Sequence, residues 1–214
     1  ISVGATTNNV FVGYGPFKDQ PRFGNNTIHH DHVVDFSSRG PSLIGDPKPD
    51  LMSIGAHGFV PSNILKDSKD SQDESFSLFG GTSMAAPIVS GSAAILIEAM
   101  KKQYQDYDSF TIKNILMSTA TDLKNDAFTQ GSGLTNIASA LDYVHGNNGI
   151  FIVSNNASYE NIKKILEPAI MNTNSTKIGF EKFQFSSKSF PMTSWFAGQL
   201  LPGERTTTTF TIDN

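Results

Sequence analysis

Apolar and polar positions fall into distinct textures along the chain. Ile1 to Ala5 is a short apolar run closed by Gly4-Ala5, which predicts a buried strand end. Residues 6–35 are rich in Gly, Asn, Pro and His and carry no period, so they read as a long loop. A punctuated stretch follows, Asp35-Phe36-Ser37-Ser38-Arg39-Gly40-Pro41. The apolar residues after Lys48-Pro49-Asp50 predict a short strand. Residues 66–75 are polar and charged without periodicity, as in an exposed loop or hairpin tip.

The clearest helix begins just after Gly80-Gly81-Thr82-Ser83 and ends near Lys101-Lys102, where cations suit the helix dipole. Pro87 sits near its start, where a missing N–H costs little. Ile88, Ala94, Ile95 and Ala99 are spaced for one buried face, and Gly91 permits close packing. With Leu96 and Ile97 the apolar surface covers most of the circumference, which predicts a helix deep in the domain. A second helix fits 109–121, through Ile112, Ile115, Leu116 and Met117. A third fits 135–145, with Ile137, Ala138, Ala140, Leu141 and Val144 inward and Gly146 as its stop.

Beyond about residue 148 the texture changes. Asn, Ser, Thr and Phe dominate, and Phe183, Phe185 and Phe190 stand in an alternating setting. Thr206 to Ile212 reads as a strand, and Tyr159 to Leu166 as a bridging helix. Residues 1–148 carry a net charge of −5 and residues 149–214 of +1. Two domains are expected: an α/β unit over 1–148 and the start of a β-rich unit over 149–214.

Composition narrows the function. The 214 residues hold 16 Lys and Arg against 20 Asp and Glu, and no basic stripe, which argues against a nucleic-acid partner. There is no cysteine, so a disulfide scaffold, a Cys-based zinc site and a cysteine nucleophile are excluded. The most apolar stretch, Ala93 to Ile97, is far too short to span a bilayer, and no transmembrane segment is expected. The first residues show neither an initiator Met nor a signal-peptide layout, and read as the middle of a longer chain.

The chemistry concentrates in Gly80-Gly81-Thr82-Ser83-Met84-Ala85-Ala86-Pro87. A nucleophilic serine needs an exposed hydroxyl and nearby backbone N–H groups to hold an oxyanion. A helix N-terminus supplies unpaired N–H groups and a positive dipole end. Glycines before the serine allow a tight turn, and small residues after it let the helix pack closely. The bland alternative is a serine that only caps a buried helix.

The run Gly81 to Pro87 resembles the serine motif of the subtilisin-like serine proteases, the subtilases. Four further segments resemble that family: Ile1 to Ala5, its sheet-closing strand; Asp35 to Pro41, its x-S-S-R-G-P turn; Lys48 to Ala56, its K-P-D strand; and Gln130 to Asn136, its G-x-G turn. The wording of Lys48 to Ala56 leans toward the pyrolysin-like archaeal branch. The resemblance implies the C-terminal half of a doubly wound parallel-sheet domain, followed by a β-sandwich-like segment. It makes Ser83 the nucleophile of an Asp/His/Ser triad and its N–H an oxyanion donor, with Gly81, Thr82 and Met84 supporting oxyanion and substrate. It implies a polypeptide substrate, an extracellular or cell-surface location, no required cofactor or metal, and room for structural calcium in the full-length protein. Two features depart from the family: Ile88 stands where His is common, and Ser53-Ile54-Gly55 replaces Ala-Pro-Gly.

In that family the triad Asp and His and the oxyanion Asn precede the Ser. None of His29, His30, His32, His57 or His145 has the expected His-Gly-Thr setting. The remaining catalytic groups, and thus the remainder of the catalytic domain, are expected upstream, and this piece alone is expected to be inactive. Other readings are a non-catalytic surface or adhesion module, a tripeptide-releasing exopeptidase, and an α/β-hydrolase elbow using Asp122, Asp126 or Asp142 with His145. His29-His30-Asp31-His32 reads as a solvated loop before a metal site. Asp67, Asp70, Asp73 and Glu74 read as an acidic tip without EF-hand spacing. Sequons begin at Asn25, Asn156 and Asn174.

Overall fold

The computed structural model describes residues 1–7, 31–56, 58–61, 76–147, 149–172 and 185–214. The helices among them are α1 (Thr82–Lys102), α2 (Ser109–Ser118), α3 (Ala127–Gln130), α4 (Ile137–Val144) and α5 (Ala157–Asn172). Strand β1 (Val3–Thr7) pairs in parallel with β2 (Leu51–Ala56). Both strands are buried, as expected for parallel strands covered by helices. Strands β3 (Gly58–Pro61) and β4 (Phe76–Phe79) form an antiparallel pair, and β5 (Ile152–Ser154) pairs antiparallel with β6 (Thr211–Asp213). The parallel pair and the helices that cover it make this part of the chain α/β.

The sequence punctuation works as turn chemistry around β2. Ser37 Oγ accepts the Ala5 N–H at 3.0 Å, and the Gly40 N–H donates to Phe128 O at 2.8 Å. The Gln130–Asn136 turn runs beside β2: Met52 N–H donates to Gly133 O at 2.8 Å, and Thr135 N–H to Met52 O at 2.9 Å. Asp108, Asp126 and Asn136 cap α2, α3 and α4 with their side chains. Gly146, at φ 72°, ends α4 as expected.

Helix α1 lies across β1 and β2 and against α2 and α4, but on a different face from the expected one. Its buried stripe is Ala85, Val89, Ser92, Leu96 and Met100. Ile88 and Ile95 are 39% and 48% exposed, Ala94 is exposed, and nothing crowds Gly91. The helix therefore has one buried side, not a fully buried circumference. Apolar residues occupy both sides at helical spacing, and packing against Leu51, Ile112, Ile115 and Leu116 selects the stripe. By length and composition alone, α1 is the one described helix able to cross a membrane, with a third of that window buried. Counting only unbroken apolar runs misses this, because Ser90, Gly91 and Ser92 interrupt the helix. In α4, Ala138 is exposed rather than inward, while Ala140 and Val144 are buried.

The segment after 148 departs most from expectation. Its described part is helix and irregular chain with one short strand pair, and α5 is longer than the expected 159–166. Thr206 to Phe210 forms no strand; only Thr211–Asp213 pairs. Phe185 and Phe190 are not strand residues: Phe190 stacks on Phe110 of α2 at 4.2 Å, and Tyr159 meets both Phe110 and Phe190 edge-on. Asn114 of α2, 4% exposed, donates from Nδ2 to Pro191 O at 2.7 Å and accepts the Thr193 N–H at 3.1 Å. Asn155 and Ser158 bind the backbone of Met192, Ser194 and Phe196. Residues 190–196 thus form a strap bonded to both α2 and the start of α5.

Candidate active site

Ser83 occupies the second position of α1 and is exposed. Its hydroxyl and the N–H groups of Thr82 and Ser83 have no hydrogen-bond partner among the described residues. The next two amides are used: Met84 and Ala85 both donate to Gly81 O, at 3.0 and 3.4 Å. Gly81 has φ 138°, a conformation L side chains rarely adopt, and it gives α1 no side-chain cap. The turn is held instead by the sheet, because the Gly81 N–H donates to Gly55 O of β2 at 2.6 Å. Pro87 lies in the second turn, so the carbonyl it leaves without a helical donor is that of Ser83.

Met84, partly buried, turns its thioether over Gly58 at the start of β3, where an added Cβ would meet the sulfur at 2.8 Å. Ala85 packs beneath with Ala5, Val34 and Ala56, the small residues that let helix and sheet approach. The site therefore sits where β2 ends and α1 begins, beside the carboxyl end of a parallel strand. Open α/β sheets bind ligands there. The exposed hydroxyl and free helix-start amides suit attack on a carbonyl with capture of the resulting oxyanion.

At the opposite end of β2 from the Ser83 turn, Asp50 anchors the strand. Its side chain, 2% exposed, accepts Lys113 Nζ at 2.7 Å, Lys48 Nζ at 2.9 Å and the Ser2 N–H at 2.7 Å. Burial by itself would raise this carboxyl, but the charges and hydrogen bonds of Lys113 and Lys48 outweigh it and hold it below the ordinary 3.8. Asp46 completes the cluster, 3.7 Å from Lys48 and bonded to the Ser42 hydroxyl. An open hollow of about 560 Å³, lined in part by Ile1, Ile97, Phe110 and Lys113, does not include Ser83.

The other sequence candidates do not assemble. Asp122 binds Lys124 and Gln130, Asp126 caps α3, and Asp142 accepts from Asn147. Hydrogen bonds from Lys124 and Gln130 hold Asp122 well below its ordinary range. His145 is the exposed C-cap of α4 and has no carboxylate partner among the described residues, so the hydrolase-elbow constellation is not formed. His29, His30 and His57 lie outside the described residues, as do Asp67, Asp70, Asp73, Glu74, Asn25 and Asn174. His32 is exposed, and its backbone N–H bonds the Thr7 hydroxyl. Among the described residues no cluster of three His, Asp or Glu suits a metal. Asn156 is exposed, while the Ser158 of its sequon is buried. Asn114 escaped sequence reasoning, and Gly55 entered it only as part of the Lys48 to Ala56 segment, with no role of its own. A lone Gly in a strand pattern and an Asn between Ile112 and Ile115 were the signals available.

Comparison with known proteins places the chain in a family. The Subtilase family (Peptidase_S8) matches residues 1–134. Tripeptidyl-peptidase 2 of Drosophila melanogaster is 35% identical over 115 residues, covering 53% of this chain and 7% of that protein. Pyrolysin of Pyrococcus furiosus is 34% identical over 125 residues, covering 55% of this chain and 8% of that protein. The chain thus spans less than a tenth of the length of these two relatives. Among solved structures, the patellamide maturation protease PatA superposes with a TM-score of 0.44 at 22% identity, covering 68% of this chain and 43% of that one. With the family match extending over more than half of its residues and enclosing the Ser83 turn, this chain belongs to the subtilase family.

Proposed function

We propose that these residues form the serine-bearing part of a secreted or cell-surface serine endopeptidase, with Ser83 as nucleophile. The observation that carries the reading is the exposed Ser83 hydroxyl on the first turn of α1, beside two amides without acceptors among the described residues. In the reaction, Ser83 Oγ bonds to the scissile carbonyl carbon as a general base takes its proton. The carbonyl oxygen becomes an oxyanion facing the helix-start amides. The C–N bond then breaks, the amine leaves with the proton, and water hydrolyses the acyl-enzyme.

The general base, its orienting carboxylate and an Asn donor are assigned to sequence upstream of residue 1. The small share of its relatives' length that the chain covers supports this. The apolar positions of α1 left exposed, Ile88 and Ile95, are where we place that remainder of the catalytic domain. Residues 149–214 are assigned a stabilising role, supported by the strap on α2. A tripeptide-releasing activity is the second reading, favoured by the match to tripeptidyl-peptidase 2.

Hydrolysis of an unstructured polypeptide by the full-length protein tests the proposal. Cleavage should disappear in Ser83→Ala and be absent from the isolated 214 residues. Products cut at internal sites support the endopeptidase, whereas tripeptides alone support the second reading. Cleavage undiminished in Ser83→Ala refutes both.

A further inference from the structure

We infer that Gly55 of β2 is a positioning residue for Ser83; the inference rests on the peptidase reading above. Helix α1 starts without a side-chain cap. What fixes its first turn is the 2.6 Å bond from the Gly81 N–H to Gly55 O. The Gly81 carbonyl in turn receives the first two helical bonds, from Met84 and Ala85. Ser83 lies between Gly81 and these two donors, inside the turn that the carbonyl closes. A displacement of Gly81 O is therefore passed to the Ser83 backbone, because Met84 and Ala85 follow their acceptor.

The same glycine leaves no room for a side chain. A Cβ on Gly55 would come within 2.5 Å of Ala5 Cβ and 2.8 Å of Gly81 O, with Ala5 Cα at 3.4 Å. Two separate consequences follow from these contacts. Pressure on Ala5 pushes β1 and β2 apart and costs folding stability. Pressure on Gly81 O pushes the turn that carries the nucleophile and costs rate. Backbone and short-side-chain neighbours cannot swing aside as a long side chain would. The contacts differ in their remedy: Ala5→Gly removes the first and leaves the second in place.

The test is a double-mutant cycle in the full-length protein, read as peptide hydrolysis and as thermal unfolding. Gly55→Ala should lower kcat by roughly 100-fold, the scale of an ångström-sized misplacement of a reacting group, with KM changed by less than about threefold. It should also lower the unfolding temperature. In the Ala5→Gly background, adding Gly55→Ala should no longer lower that temperature, yet should still lower kcat as before. If Gly55→Ala alone does not fold, the Ala5→Gly pair gives the same answer. Wild-type kcat in Gly55→Ala, or rate and stability recovering together in the double variant, overturns the positioning role while leaving the peptidase reading intact. A wild-type protein that cleaves no peptide overturns both.

Discussion

Lys113 of α2 holds the Asp50 carboxylate at 2.7 Å, in a place where only 2% of the Asp50 side chain meets solvent. Asp50 begins the strand segment that leads to Gly55, so this pair ties α2 to the strand supporting the Ser83 turn. Removing one partner of a buried pair leaves a charge without compensation. Asp50→Asn should therefore lower unfolding free energy by about 3 kcal/mol at pH 7, measured by urea denaturation.

The pair also gives a pH dependence. The folded-state value of Asp50 lies below its ordinary 3.8, so the folded protein holds the charged form more tightly than the unfolded chain does. The stabilisation is complete above 3.8 and is lost as pH falls through the lowered value. The gap between wild type and Asp50→Asn should stay constant from pH 7 down to about 5 and narrow below about 4. Widening of the gap in acid would contradict this account.

Asn114 links α2 to the strap through Pro191 O and Thr193 N–H. Asn114→Ala leaves both backbone groups without their partner. It should cost roughly 2–3 kcal/mol and expose residues 190–196 to limited proteolysis. Asn114→Asp keeps the acceptor for Thr193 but sets a buried carboxylate against the Pro191 carbonyl oxygen, so it should cost at least as much as Asn114→Ala. Unchanged cleavage of the strap in Asn114→Ala would show that the aromatic contacts alone hold it.

The buried stripe of α1 makes a contrast between neighbours. Leu96 is fully buried and Ile95 is 48% exposed. Leu96→Ala should destabilise the 214 residues by about 2–5 kcal/mol, and Ile95→Ser by no more than about 0.5 kcal/mol, in parallel thermal melts. Equal losses would mean that Ile95 is covered.

The sequence is most legible where residue type and backbone demand coincide. The Gly-Gly-Thr-Ser run shows the start of α1 because the turn needs glycine at φ 138° and the helix needs small residues after it. It does not show which side of α1 is buried, since Ile88 and Ile95 compete with Val89 and Leu96 at equally helical spacing. The strap was illegible for a different reason. The Phe-rich stretch 183–190 reads as strand, but Phe185 and Phe190 serve as packing around Tyr159 and Phe110, contacts set only by tertiary structure. Thr206 to Phe210 has strand propensity without a neighbouring strand among the described residues, and propensity without a partner makes no sheet. Gly55 was visible as a strand glycine, but its reason, Gly81 O at 2.8 Å from the missing Cβ, comes from a residue 26 positions away.

The central claim is that Ser83 is a nucleophile completed by groups outside these residues. Its most direct test is treatment of the full-length protein and of the isolated 214 residues with a fluorophosphonate, followed by peptide mass mapping. The account predicts one adduct, on Ser83, in the full-length protein, and none in the isolated residues. An adduct elsewhere in the full-length protein with Ser83 unmodified, or rapid modification of Ser83 in the isolated residues, would contradict it.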